Sequence, residues 1–218
     1  CREEGEPPGE GGHLAVIEAG TGTGKSFGAL VPALVVARTR GRRLVVSSAT
    51  VALQHRYADK DVPALQGLLP FAFSVAVAKG RKRYACPAKL HTEAQGAGQG
   101  DLTLEDGGAA ADTGPTTASR LRELADALHA GRWSGDRDAL PEPVGNSLWE
   151  RTTTDRHDCA GGTCPHFARC PYQAARKRIR QADLVIANHD LVLATLELGG
   201  QGALPAPAEA LYVFDEAH

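Results

Sequence analysis

The octet Ala19-Gly20-Thr21-Gly22-Thr23-Gly24-Lys25-Ser26 constrains this chain more than any other stretch. It comes after a short apolar run, HLAVIEA (13–19), and precedes a segment with Phe27, Leu30, Val31, Leu34 and Val35 at helical spacing. That order predicts a strand, a tight glycine turn and a helix. Alternating glycines let backbone N–H groups turn inward around phosphate oxygens, and the helix N-terminus adds a partial positive charge. Lys25 then reaches the β- and γ-phosphates, and the Ser26 hydroxyl suits a Mg²⁺ ion. Gly20, Thr21, Gly22, Thr23, Gly24, Lys25 and Ser26 are therefore the candidate ATP and Mg²⁺ site. Ala19 stands where the strict pattern has its first Gly, a change the backbone logic tolerates.

Downstream, RLVVSSA (43–49) reads as a buried strand, TVALQHRYADKDVPAL as a helix and FSVAVA (73–78) as a third strand. Pro32 allows a kink in the first helix. The pattern resumes with DLVIANH (183–189) and closes with ALYVFDEAH (210–218). Strands alternating with helices predict an α/β fold with a parallel sheet and crossover helices. The last run is a hydrophobic strand ending in two acids. Asp215 at that position is a candidate Mg²⁺ residue, and Glu216 is placed to orient or deprotonate an attacking water. With Lys25, these two form the candidate catalytic set, and the expected reaction is nucleoside triphosphate hydrolysis.

Between the third and fourth of these strands the alternation stops. Residues 93–116 lack any basic residue and read as a mobile loop, whereas TASRLRELADALHAGR (117–132) reads as an amphipathic helix. The expected organisation is a loop or disordered stretch over 1–12, a first part of the α/β lobe over 13–79, an insertion over 80–175 and a continuation over 176–218. The chain contains no Met and stops directly after an acidic strand end, so we read it as a fragment.

The insertion carries Cys86, Cys159, Cys164 and Cys170, spaced C-x72-C-x4-C-x5-C; Cys1 lies outside the pattern. An odd total of five cysteines and no export signal argue against a disulfide framework and for metal binding in a cytoplasmic protein. Only the x4 step approaches ordinary zinc spacing, and widely spread Cys₄ sets also hold iron–sulfur clusters. His157 and His166 lie nearby but read as surface residues. Net charge of −2 gives no global nucleic-acid signal, so any such signal is local. Two basic runs supply one: Lys79, Arg81, Lys82 and Arg83 before Cys86, and Arg176, Lys177, Arg178 and Arg180 after Cys170. Brought together, they would form a positive surface for a phosphate backbone. Tyr84 and Tyr172 within them suit either base stacking or core packing. No apolar stretch approaches the roughly 18 residues a membrane span needs.

Taken together, these residues resemble the iron–sulfur superfamily-2 DNA helicases of the XPD type, in the bacterial DinG/YoaA branch. EAGTGTGKS looks like the family's motif I, VFDEAH like motif II and VVSSATVALQ like motif Ia. AKGRKRYAC and DCAGGTCPHFARCPYQAARKR resemble the segments that carry the cluster ligands. The resemblance implies a RecA-like P-loop motor lobe interrupted by a small, mainly helical cluster domain. It implies a 4Fe–4S cluster on Cys86, Cys159, Cys164 and Cys170, Ser48, Thr50 and Gln54 near single-stranded DNA, and a coupling role for His218. Arg81, Lys82, Arg83, Tyr84, Arg176, Lys177 and Arg178 complete the candidate DNA contacts. The implied activity is ATP-driven 5′–3′ translocation and unwinding in repair or replication. Its partners would be single-stranded DNA, forked or damaged duplex DNA and replication or repair proteins, with no membrane. A fragment without the second motor lobe should not unwind DNA alone. The competing reading is a zinc-bearing, nucleotide-regulated nucleic-acid-binding module. A P-loop kinase or transporter ATPase leaves the cysteine insertion unexplained.

Overall fold

The computed structural model describes residues 14–18, 20, 23–96, 116–197 and 202–217. The expected stretch 1–12, most of the expected loop 93–116, Thr21, Gly22 and His218 lie outside the described residues.

Helix α1 (Lys25–Thr39) starts at Gly24, whose φ of 81° lies in the left-handed region that favours glycine. It runs unbroken through Pro32. Its end is set by Gly41 (φ 60°): the Gly41 N–H donates to Arg38 O (3.1 Å) and the Arg42 N–H to Ala37 O (2.8 Å), the reverse turn that stops helices at glycine. Strand β1 (Arg43–Ser48) comes next, buried from Leu44 onward. The helical stretch after it has three parts: α2 (Val51–Arg56), a π turn (Tyr57–Asp61) and α3 (Val62–Leu68). Strand β2 (Val75–Val77) then leads into the insertion.

Strands β3 (Leu184–Asn188) and β4 (Ala210–Phe214) complete a four-stranded parallel sheet in the order β2-β3-β1-β4. Val46 stands opposite Ile186 on one side and Val213 on the other. Both faces are covered, as all-parallel sheets require. On one face Leu44, Val46, Leu184 and Ile186 pack against Leu30, Leu34, Tyr57, Val62 and Leu65 from α1 and the broken helix. On the other, Val45, Val185 and Ala187 meet Ile179 of α7 (Pro171–Gln181) and Val192 of α8 (His189–Glu197).

The insertion contributes no strand to this sheet among the described residues. It holds α4 (Pro87–Gly96), α5 (Thr117–His129) and α6 (Asn146–Thr152), with short 3₁₀ turns between and after them. Its own core joins Ala85, Leu90, Leu121, Leu124, Trp133, Val144 and Trp149. The two tryptophan rings meet edge-on at 6.2 Å, and each indole N–H reaches a carbonyl: Trp133 donates to Asp136 O (2.8 Å), Trp149 to Lys82 O (2.7 Å).

Three expectations need correction. The strand expected over 13–19 is absent in the described residues 14–18: Leu14, Val16 and Ile17 are 89%, 87% and 78% exposed. A strand needs a neighbour to satisfy its backbone groups, and none of the described strands pairs with this run. Residues 93–96 of the expected loop are helical, because α4 runs to Gly96 on the strength of buried Leu90. The expected boundary at 175/176 falls inside α7, whose Ile179 packs under the sheet.

Candidate nucleotide site and cysteine cavity

The glycine loop and the acidic strand end meet through a residue the sequence pattern does not mark. Within the loop, the Thr23 hydroxyl donates to Gly20 O (2.8 Å), and Lys25 and Ser26 open α1 half-buried. At the end of β4, the Asp215 N–H donates to Ser47 O (2.8 Å), extending the ladder by one residue. Glu216 has a φ of 55°, a left-handed conformation unusual for a residue with a side chain. Such strain, about 1–3 kcal/mol, collects at functional sites. The Tyr57 hydroxyl donates to Asp215 Oδ2 at 2.6 Å, and the Ser26 hydroxyl lies beside the same phenol. Burial, reinforced by the Asp215 carboxylate, raises the Tyr57 pKa well above its ordinary value. The phenol therefore keeps its proton and acts as a donor.

His189 opens α8, directly after the end of β3. Its Nδ1 is 2.6 Å from Ser47 Oγ, its ring lies 5.9 Å from that of Phe214, and its buried Nε2 has no partner among the described residues. The sequence flagged the segment around His189 without giving the imidazole a place. Tyr57 had no signal beyond its position three residues after Gln54 in a helical run.

The motif Ia candidates divide. Thr50 is exposed and caps α2, accepting from the Leu53 N–H at 3.2 Å. Ser48 and Gln54 are buried: the Ser48 hydroxyl donates to Thr50 O (3.3 Å) and the Gln54 amide to Ala78 O (3.5 Å). Those two side chains shape the segment from inside and present nothing to a ligand.

All four cysteines of the C-x72-C-x4-C-x5-C set are half-buried and line one cavity of ≈ 30 Å³, with Arg81, Tyr84, Phe167 and Tyr172 among its walls. Arg81 donates to Cys159 Sγ at 2.9 Å, and the Gly161 N–H reaches the same sulfur at 3.4 Å. The Arg81 guanidinium also lies 4.1 Å above the Tyr172 ring. Among the described residues, no three His, Cys, Asp or Glu side chains are grouped for a single metal ion. The donor set is thus four thiols around a common space, with two hydrogen-bond donors aimed at one sulfur.

The basic runs are less available than their charge suggests. Lys79 is only 10% exposed and pairs with Asp136 (2.5 Å) and Asp138 (2.9 Å), while Arg83 pairs with Asp138. Tyr84 is 5% exposed and tilts against Tyr172 at 5.9 Å, so its ring offers no free face for base stacking. Arg176 is half-buried and donates to Gly202 O (3.2 Å). Lys82, Lys177, Arg178 and Arg180 remain exposed.

No family model matches the chain. Individual proteins do. The chain is 38% identical over 205 residues to the ATP-dependent DNA helicase DinG of Photobacterium profundum, a match covering 94% of this chain and 29% of that protein. It is 37% identical over 210 residues to DinG of Escherichia coli, and 37% over 211 residues to DinG of Salmonella typhimurium, each match covering 96% of this chain and 29% of the relative. Over nearly all of its own length the chain is similar to these DinG proteins. It spans under a third of the length of these DinG relatives, and the match takes in both the glycine loop and the cysteine-bearing segment.

Proposed function

We propose that this chain is part of the ATP-hydrolysing motor lobe of a DinG-type DNA helicase that moves 5′ to 3′ along single-stranded DNA and opens duplexes. The observation that carries this reading is the convergence of Ser26, at the head of α1, and Asp215, at the end of β4, on the Tyr57 hydroxyl. Two motifs nearly two hundred residues apart in sequence thereby face one another, as a nucleotide site requires.

In this reading, backbone N–H groups of the glycine loop cradle the β-phosphate and Lys25 neutralises charge on the β- and γ-phosphates. Ser26 and Asp215 hold Mg²⁺, which supplies charge neutralisation between the phosphates. Glu216 orients the attacking water and accepts its proton. Its left-handed backbone breaks the extended path of β4 at this residue. Thr50, Lys82, Lys177 and Arg178 are the exposed candidates for the phosphate backbone of DNA, with Arg81, Arg83 and Arg176 held by protein partners beside them. His218 comes directly after motif II and is assigned to coupling by resemblance alone.

Cys86, Cys159, Cys164 and Cys170 fit a 4Fe–4S cluster. Such a cluster is held by four thiolates around a common space, and the four thiols here line one shared cavity. When bound, the cluster supplies a covalent cross-link across the insertion. From Asp155 to Cys170 no residue is buried, so apolar packing does not hold this stretch. A rigid insertion beside the motor is what a duplex-splitting wedge needs. Forked or damaged DNA and repair or replication proteins are the corresponding substrates and partners.

The test is ATP hydrolysis by the full-length protein, purified without oxygen, with and without a single-stranded oligonucleotide. Hydrolysis should rise with DNA, and Lys25→Ala should lower kcat by at least about 100-fold, as loss of a phosphate-stabilising donor does. Roughly four irons with matching sulfide per chain are expected. One zinc and no iron would favour the binding-module reading instead.

A further inference from the structure

We propose that Tyr57 is a positioning residue that couples the DNA-contact segment to the nucleotide site by holding the Asp215 carboxylate. The inference rests on the motor reading above, in which Tyr57 is only the point where two motifs meet, and gives that residue a role of its own.

Tyr57 sits where the helix after β1 changes its winding. From Thr50, which caps α2 on the exposed side, the helix runs six residues to Arg56 and then opens into the π turn Tyr57–Asp61. There the Val62 N–H donates to Tyr57 O, five residues back instead of four. A π turn inserts one residue into a helix and rotates the residues beyond it; it is rare and frequently lies at functional sites. The side chain at the start of the turn is Tyr57, 3% exposed, its ring within the core that covers one face of the sheet. Its hydroxyl ends on Asp215 Oδ2. One helix thus carries, two turns apart, an exposed residue assigned to DNA and a buried hydroxyl bonded to the candidate metal carboxylate.

The geometry makes the bond useful. A carboxylate has two oxygens. With Oδ2 fixed by the phenol and the Asp215 N–H tied to Ser47 O, Oδ1 is left for a cation in one defined orientation. Ser26, the other candidate cation residue, lies beside the same phenol. A shift of α2 on binding a DNA strand moves the Tyr57 hydroxyl, and with it the carboxylate. The ring's packing makes the movement a displacement of the whole side chain; a rotamer change has no space in a dense core.

The test compares the full-length wild type with Tyr57→Phe, which keeps the ring and removes the hydroxyl. ATP hydrolysis is measured against ATP and against Mg²⁺, with and without a single-stranded oligonucleotide, alongside thermal melting. Loss of one hydrogen bond to a charged group should cut the DNA-stimulated kcat by about tenfold and raise the Mg²⁺ needed for half-maximal rate, with KM for ATP changed less than about twofold. The stimulation factor itself should fall. An unchanged stimulation factor in Tyr57→Phe, while wild type is stimulated normally, overturns the coupling alone. Equal losses with and without DNA, tracking a lowered melting temperature, also overturn it, because they mark a structural role only. A wild type whose hydrolysis ignores DNA overturns the motor reading and the coupling with it.

Discussion

The sheet and the cysteine insertion are held together by different means. In the sheet, Leu44, Val45, Val46, Leu184, Val185 and Ile186 are fully buried between two helical layers, and burial of this kind contributes about 1.5–3 kcal/mol per side chain. The insertion has a seven-residue apolar core under α4, α5 and α6, fixed at its margins by polar contacts such as Lys79 with Asp136 and Arg151 with Glu93. Beyond that core, the stretch from Asp155 to Cys170 buries no residue at all. One region is stabilised by its apolar side chains. The other, at its cysteine end, has no buried side chain to do the same.

The largest expected effect separates these two regimes. Cys164→Ser, or chelation of iron in the wild type, should remove hydrogen-exchange protection from residues 155–170 and the adjoining 3₁₀ turns. The amides of β1 and β3 should keep theirs. Protease cleavage should then appear within 155–170 while the sheet core stays intact. Equal loss of protection in β1 and β3 would show that the two regions fold as one unit and are not held by different means.

A pair of core truncations should sharpen the same contrast at smaller scale. Ile186→Ala in β3 and Leu121→Ala in α5 each empty a fully buried site, for an expected cost of about 2–5 kcal/mol. Ile186 lies between Val46 of β1 and Val77 of β2, so its loss should lower the main melting transition. Leu121 belongs to the insertion core alone, so its loss should open α4, α5 and α6 and leave the main transition nearly in place. Calorimetry with region-resolved exchange distinguishes the two outcomes.

The same division governs what could be read from sequence. Strands β1, β3 and β4 were legible because a parallel strand buried on both faces is written as a run of Leu, Val and Ile, and RLVVSS and LVIAN are such runs. Helix α1 was legible from its glycine start and apolar spacing. The run LAVIE carries the same composition yet forms no strand in the described residues, since composition sets an apolar preference but pairing needs a neighbour. Helices α4 and α6 were not legible, because each is short and anchored by one or two buried residues, Leu90 or Trp149 and Thr152. At the site, Lys25, Ser26, Asp215 and the four cysteines stood out through spacing. Tyr57 and the neutralisation of Lys79 by Asp136 and Asp138 did not, because long-range partners leave no local pattern. Arg81 shows the same effect: a residue counted with the DNA contacts turns inward onto Cys159 Sγ.

The smallest effect offers the cleanest control, because chance has placed the same cap in both regions. Thr50 begins α2 and Thr116 begins α5; each has an extended backbone, and each side-chain oxygen accepts a backbone N–H three residues on at 3.2 Å. The local chemistry is equal, so Thr50→Ala and Thr116→Ala should each cost about 1 kcal/mol of helix stability. Where that cost is felt should differ. The helix behind Thr50 supplies Tyr57, Val62 and Leu65 to the core over the sheet, so Thr50→Ala should shift the main transition. Helix α5 buries only Leu121 and Leu124, both in the insertion core, so Thr116→Ala should raise exchange across α4 and α5 and leave the main transition within error. If the two substitutions move the main transition equally, the cap energies are being read by a single cooperative unit. The iron-free protein should then unfold in one step, a result that the unburied stretch from Asp155 to Cys170 argues against.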